Sequence, residues 1–296
     1  MESVGVAGLG LMGSAIASRL LAAGYEVVGY DIDGAKRERL TAAGGKAVDS
    51  LAALSARAST LMLAVFDTAQ VESVIDDALN SRANDAPRLT FVCTSTCDPD
   101  RIAKVAARIS ARADFVEMPV SGTSGQVAGG TGVGLVAGNA EAVERVAKIL
   151  DAVCPNRQYL GAVGNGGKAK LAVNLVLGLN RGALAEGLVF AQAMGLDPVA
   201  FVDVLRNSAA YSQVMDIKGG MMARREFTQP VSRVDQSCKD FSLMLDYSTT
   251  LGQQLPFASV YAELLRDCIA NGEAQWDNAA ILAAIARRGS AQGPIK

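Results

Sequence analysis

Val4-Gly5-Val6-Ala7-Gly8-Leu9-Gly10-Leu11-Met12-Gly13-Ser14-Ala15-Ile16-Ala17-Ser18-Arg19-Leu20-Leu21, near the start of the chain, decides the fold. Residues 4–7 form a short apolar run of the kind found in strands of a parallel sheet, and residues 14–21 carry apolar side chains at helical spacing. Between them Gly8-Leu9-Gly10-Leu11-Met12-Gly13 reads Gly-x-Gly-x-x-Gly. A strand, turn and helix in this order aims free backbone N–H groups and the positive end of a helix dipole at a pyrophosphate, and glycines allow a close approach that side chains would block. Glycines also simply end strands, so the turn gains its meaning from the strands and helices on its C-terminal side.

A second strand, residues 25–30, comes at βαβ spacing and ends in Asp31. A carboxylate there can accept hydrogen bonds from adenosine ribose hydroxyls and repels a 2′-phosphate, which favours NAD over NADP. The competing reading is that Asp31 caps the next turn, with Lys36 and Arg37 close by. Further apolar segments at residues 60–65, 89–92, 115–120 and 134–137 alternate with amphipathic stretches. That alternation predicts a doubly wound parallel sheet. A helix is expected over residues 140–150, and after Pro155 the pattern changes. Residues 165–193 are continuously compatible with one helix, a rod of roughly 40 Å able to bridge two domains. Helical segments at 199–206, 239–251 and 257–271 come next without a convincing strand, and the tail 287–294, which lacks apolar periodicity, is expected to fray. There is no internal repeat.

With 296 residues, half of them hydrophobic, the chain exceeds the usual size of one domain. A net charge of −2 provides no basic field for nucleic acid or an anionic membrane. Met1-Glu2-Ser3 lacks the basic start of a secretory signal, and Asn174, Asn180 and Arg181 interrupt the longest apolar stretch, so a cytoplasmic location is expected. Cys93, Cys97, Cys154, Cys238 and Cys268 lack paired spacing, and the chain has no histidine to complete a zinc site. They read as reduced thiols and no metal is expected.

Lys170 and Asn174 stand four residues apart on the long helix and therefore share a face, to which Arg181 nearly returns. Apolar neighbours surround Lys170. Lost solvation disfavours an ammonium there, which suits the group to exchange protons near neutrality. The plainer alternative is a surface lysine on an amphipathic helix.

Four ordered motifs then resemble one family over nearly the whole chain. They are the glycine-rich turn; Pro119-Val120-Ser121-Gly122 with Gly130-Thr131; Gly161-Ala162-Val163-Gly164-Asn165-Gly166 followed by Lys170 and Asn174; and Lys239-Asp240-Phe241. They are similar to those of the β-hydroxyacid dehydrogenases, the group of 3-hydroxyisobutyrate dehydrogenase and tartronate semialdehyde reductase. The resemblance implies a Rossmann-type α/β domain (1–162), a long interdomain helix (163–193) and an all-helical C-terminal domain for substrate and oligomerisation (194–296).

The resemblance also implies roles. Lys170 is the expected general acid/base, with Asn174 orienting lysine or substrate. Ser121, Gly122 and Thr123 would bind the substrate carboxylate. Gly8, Leu9, Gly10, Leu11, Met12, Gly13, Asp31, Val65, Phe66, Ser95, Thr96 and Lys239 would line the cofactor. The expected reaction interconverts a small 3-hydroxy carboxylate and its semialdehyde or oxo acid by hydride transfer, in a homodimer or homotetramer. The family often has a second glycine at Thr123, Asp-Ala-Pro at Glu117-Met118-Pro119, and Leu-Pro at Ala64-Val65. Tyr211, Ser212, Arg233 and Asp235 are candidates for reading the rest of the substrate, with packing or a surface ion pair as their alternative. An imine reductase shares the fold but generally lacks the lysine, as would a non-catalytic dinucleotide-sensing module, so Lys170 weighs against both.

Overall fold

The structure, a computed structural model, describes residues 2–83 and 85–291, and it divides into two compact units, Met1–Leu171 and Ala172–Lys296. In unit 1 the strands are β1 (Ser3–Ala7), β2 (Glu26–Tyr30), β3 (Lys46–Ala47), β4 (Thr60–Leu63), β5 (Leu89–Cys93), β6 (Ala113–Glu117), β7 (Val120–Ser121), β8 (Val133–Gly138) and β9 (Asn156–Tyr159). They form one sheet of order β3-β2-β1-β4-β5-β6-β8-β7, with β9 on β8. The helices between them are α1 (Leu11–Ala22), α2 (Gly34–Ala42), α3 (Leu51–Arg57), α4 (Thr68–Asn80), α5 (Pro99–Ile109), α6 (Ser124–Ala128), α7 (Ala140–Arg145) and α8 (Ala147–Val153). The long α9 (Asn165–Ala193) comes next, starting and ending where the helical period predicts.

Both faces of the sheet are covered. Val4, Val6, Met62, Val92 and Val116 point into one apolar cluster with Ile16, Leu20 and Leu150. Ala7, Leu61, Leu63, Phe91 and Phe115 point into the other with Leu54, Ile75 and Ile102. Alternate residues of one strand thus serve opposite cores, which is why these strands read as unbroken apolar runs. Each large side chain so buried contributes about 1.5–3 kcal/mol.

The sheet is parallel from β3 through β6, as the alternation predicts, whereas β8 runs antiparallel to β6 and β7. Residues 122–132, holding only the short α6, turn the chain back without a crossover over the sheet. The expected single strand at 115–120 is interrupted before Val120, because Pro119 has no N–H for the ladder. The expected helix at 140–150 is two helices, broken at Val146. The polar β9 carries no apolar signal and was not expected.

Unit 2 contains the remainder of α9, then α10 (Pro198–Arg206), α11 (Gln213–Arg224), α12 (Val234–Thr250), α13 (Pro256–Ala270) and α14 (Ile281–Ala291). The Phe241 and Tyr261 rings, 4.5 Å apart, join α12 to α13. A Cβ on Gly178 of α9 would lie 2.3 Å from Phe241, so that glycine sets how closely α9 packs on α12. By length and composition alone α9 could cross a membrane. Two of its polar side chains bond within the unit, Asn174 Nδ2 to Asp240 and one terminal nitrogen of Arg181 to the Tyr261 hydroxyl. The expected fraying at 287–294 is corrected in part: Arg287 lies in α14, bonded to Asp267 and Glu273, and residues 292–296 fall outside the described residues.

Candidate functional site

The strand order reverses between β1 and β4, and in such a sheet the crevice at the carboxyl ends of the two strands is where ligands bind. The glycine-rich turn leaves β1 at that point. Gly8 has φ +90° and donates its N–H to the Tyr30 carbonyl at 2.8 Å; a Cβ there would lie 2.5 Å from the Ala64 carbonyl oxygen. A Cβ on Gly13 would lie 1.8 Å from the Gly8 oxygen. Packing of the turn itself therefore demands these two glycines. Gly10 differs: nothing lies within 4 Å of where its Cβ would be. Gly10 also caps α1 without a side-chain hydrogen bond, and no acidic residue stands in the first turn. Open space beside uncapped N–H groups at a helix start fits a dinucleotide pyrophosphate. Leu9 is buried in the core, Met12 packs against it, and Leu11 is exposed.

Asp31 closes this turn from the side. Its Oδ2 accepts the Leu9 N–H at 2.7 Å, its Oδ1 accepts the Asp33 N–H at 2.9 Å, and Lys36 lies 3.4 Å away. Arg37 donates to the Asp31 carbonyl. Burial opposes ionisation most strongly, but the two N–H groups and the Lys36 ammonium together outweigh it and hold the carboxyl below its ordinary value. The structure thus gives Asp31 a task that sequence spacing does not show, which is to fix the turn.

At the ends of β4 and β5, Val65 and Ser95 meet: the Ser95 hydroxyl donates to the Val65 carbonyl at 2.7 Å. The Thr94 hydroxyl donates to the Leu63 carbonyl at 2.8 Å, and Gln70 accepts the Phe66 N–H at 2.9 Å. Thr96 is buried beside them. Cys93 and Cys97 are buried and unbridged, and a hydrogen bond from the Cys93 thiol to Cys97 together with burial pushes the Cys93 thiol well up. A thiol so held is a poor nucleophile.

Lys170 sits in the second turn of α9, 8% exposed, with Nζ donating to the Val120 carbonyl at 2.7 Å. The next residues are Ser121 and Gly122, so the ammonium stands beside the loop expected to hold substrate. Thr123 is engaged otherwise. Its N–H donates to Gln126 Oε1 at 2.9 Å and its hydroxyl accepts the Gln126 N–H at 3.2 Å, a capping box that starts α6. Ser121 and Gly122 take no part in this capping box.

In unit 2, Asn174 Nδ2 donates to Asp240 Oδ2 at 3.0 Å, and Lys239 Nζ lies 2.7 Å from Asp240 Oδ1. The buried Asp240 thereby links the two residues picked out by sequence. It stood inside the Lys239-Asp240-Phe241 motif, but nothing local showed that it faces Asn174. Arg233 pairs with Asp235 at 3.0 Å and the Tyr211 hydroxyl donates to Asp216 at 2.6 Å; Ser212 precedes α11. Among the described residues no group of His, Cys, Asp and Glu side chains is placed to hold a metal ion.

Comparison with known proteins places both halves of the chain in one family. Residues 3–161 match the NAD binding domain of 6-phosphogluconate dehydrogenase, and residues 164–285 match the domain described as NAD-binding of NADP-dependent 3-hydroxyisobutyrate dehydrogenase. The 2-hydroxy-3-oxopropionate reductase of Escherichia coli is 29% identical over 283 residues, covering 95% of this chain and 96% of the relative. The chloroplastic glyoxylate/succinic semialdehyde reductase 2 of Arabidopsis thaliana is 30% identical, covering 96% of this chain and 79% of the relative. The crystal structure of 3-hydroxyisobutyrate dehydrogenase from Salmonella typhimurium superimposes with a TM-score of 0.87 at 26% identity, covering 96% of this chain and 99% of that one. With a glycine-rich turn at a strand-order reversal and a buried lysine opening the long helix, both halves of the chain meet their family counterparts, and the chain belongs to the β-hydroxyacid dehydrogenase family.

Proposed function

We propose that the chain is an NAD-preferring oxidoreductase that interconverts a small 3-hydroxy carboxylate and the corresponding semialdehyde, with Lys170 as general acid/base. The observation that carries this reading is Lys170 itself, buried in the second turn of α9 with Nζ on the Val120 carbonyl, next to Ser121 and Gly122. A donor held there can act on an oxygen of a molecule whose carboxylate rests on the Ser121-Gly122 segment.

A bound nicotinamide supplies the hydride acceptor or donor. In oxidation Lys170, in its neutral form, takes the hydroxyl proton as the carbon-bound hydrogen departs; in reduction the ammonium stabilises the developing alkoxide and protonates it. Ser121 and the Gly122 N–H hold the carboxylate, which fixes the carbon that faces the ring. Asn174, tied to Asp240, keeps its side chain in one orientation on the face of α9 that carries Lys170. Asp31, held ionised, supports NAD, because a 2′-phosphate at the end of β2 would meet a second negative charge. The names of the relatives, an oxopropionate reductase and a semialdehyde reductase, support the substrate class. Val176 and Phe190 on α9 are 58% and 64% exposed, an apolar outer face that supports a homo-oligomer.

The test is initial-rate kinetics with a panel of small 3-hydroxy acids, with NAD and NADP in parallel, for wild type and Lys170→Ala. The expected result is turnover with NAD that falls by about 10²–10⁴-fold in the variant, the range for loss of a general acid/base, while coenzyme affinity persists. Full turnover without the lysine would overturn the mechanism, and a preference for NADP would overturn the role given to Asp31.

A further inference from the structure

We propose that Glu117 is a positioning residue for Lys170, acting through the first turn of α9; the inference rests on the role given to Lys170 above. Glu117, the last residue of β6, is 3% exposed. Burying a carboxylate is costly unless it is matched by hydrogen bonds. Here the partners are backbone donors at the start of α9: Oε2 accepts the Gly164 N–H and Oε1 accepts the Gly167 N–H at 3.0 Å, with Gly166 also donating. A helix start leaves such N–H groups without intrahelical partners and favours a negative charge beside them.

The glycines are spaced for this contact. A Cβ on Gly166 would lie 3.0 Å from the Glu117 Cβ and 2.9 Å from the Leu135 carbonyl oxygen, and one on Gly167 would lie 3.2 Å from Oε1. Side chains at these positions would push the helix off the carboxylate. Even so, burial outweighs the backbone donors and the nearby Lys168, and pushes the Glu117 carboxyl above its ordinary value. The fold accepts that cost at one place only in this turn, where it registers α9 on the sheet.

One short segment, residues 117–120, then holds α9 twice. Glu117 takes the N–H groups of the first turn, and the Val120 carbonyl takes Lys170 Nζ at 2.7 Å. The segment is itself fixed, by the Met118 N–H on the Cys93 carbonyl at 2.8 Å and by the Leu135 N–H on the Pro119 carbonyl at 3.0 Å. Lys170 therefore reaches its position relative to Ser121 through two clamps on a rigid rail. A shift of about 1 Å in a reacting group can cost on the order of 10²-fold in rate, so loss of the first clamp should be read in the chemical step.

The test uses Glu117→Gln, which keeps the size but sets an amide N–H against one backbone donor. Its kcat should fall tenfold or more with a larger primary deuterium isotope effect, while the KM for the hydroxy acid and the Kd for coenzyme stay within threefold. Glu117→Asp, which keeps the charge, should recover part of kcat. Gly167→Ala, which crowds the same contact with Glu117 intact, should reproduce the loss, and retained coenzyme binding shows that each variant is folded. A second readout does not depend on turnover: the rate at which acetic anhydride modifies Lys170, followed by mass spectrometry, should rise severalfold in Glu117→Gln. An unchanged kcat and isotope effect, or an unchanged modification rate, overturns the positioning role. A raised modification rate in a protein whose wild type turns over no hydroxy acid upholds the clamp and overturns only the reaction.

Discussion

Replacing Asp31 by asparagine separates the two tasks the structure gives to this residue. The carboxylate accepts Leu9 N–H at 2.7 Å and Asp33 N–H at 2.9 Å and is 7% exposed. Hydrogen bonds to a charged group contribute about 1.5–3 kcal/mol each. Asparagine keeps one oxygen, and hence one of the two bonds, and turns an amide N–H towards the other donor. Lys36 is partly exposed, and its pairing is worth about 1 kcal/mol at most. The expected loss of stability is therefore about 2–3 kcal/mol. For a body the size of unit 1 each 1 kcal/mol moves the melting midpoint by about 2–4 °C, so the midpoint should drop by about 4–12 °C. Trp276, the single tryptophan, lies in unit 2, so far-UV circular dichroism is the signal to follow.

The pH dependence carries a sign. The folded-state pKa of Asp31 lies below the ordinary value, so its stabilisation is present above the unfolded-state pKa and is lost as pH falls through the folded-state pKa. The gap between wild type and Asp31→Asn should close in that acid window. Because Leu9 belongs to the glycine-rich turn, NAD affinity should fall too, so that relief of 2′-phosphate repulsion does not by itself produce an NADP enzyme. A variant within about 0.5 kcal/mol of wild type, the spread of neutral surface changes, or a gap that persists in acid, would refute this reasoning.

Two glycines of the turn should behave oppositely. Gly13→Ala should fail to fold normally, because its methyl meets the Gly8 carbonyl, whereas Gly10→Ala should melt like wild type yet lose dinucleotide affinity by fluorescence titration, since only a ligand needs that space. Gln126→Ala frees the Thr123 N–H for substrate; the KM for the hydroxy acid should fall severalfold with kcat retained, as read by steady-state kinetics. In unit 2 the buried Lys218 bonds Asp277 at 2.6 Å, and burial, outweighing the attraction of Asp277, lowers the lysine pKa to about 8. Since the folded state binds the Lys218 proton less tightly than the unfolded chain does, that group's contribution should become more favourable as pH rises from about 8 towards 10.5. Asp277 also accepts N–H groups of Val231, Ser232 and Ala279, so Asp277→Ala should cost about 3–5 kcal/mol in denaturant titration, more than Lys218→Met.

Local pattern carried the reading wherever one segment holds the whole signal. The turn from β1 into α1 was legible because Gly-x-Gly-x-x-Gly is set by backbone sterics within a few residues. The bounds of α9 came from helical periodicity, and the same period put Lys170 and Asn174 on one face. Strands buried on both sides showed as apolar runs. The short polar β9 and the break at Val146 had no comparable signature, and the reversal of β8 depends on a connection too short to cross the sheet.

What only tertiary structure decided are pairings between polar groups far apart in sequence. Asp31 holds Leu9 across 22 positions, Glu117 holds Gly167 across 50, and Asp240 holds Asn174 across 66. Such partners obey no period, since their meeting depends on where strands and helices come to rest. Their energies also depend on burial, which composition does not reveal. By itself the sequence determined a glycine turn at the end of the first strand and a lysine on an apolar helix. Packing decided that the aspartate closes the turn, that Thr123 is taken up by Gln126, and that a buried glutamate registers the helix bearing Lys170, because only in the folded chain does water leave these groups and the backbone replace it.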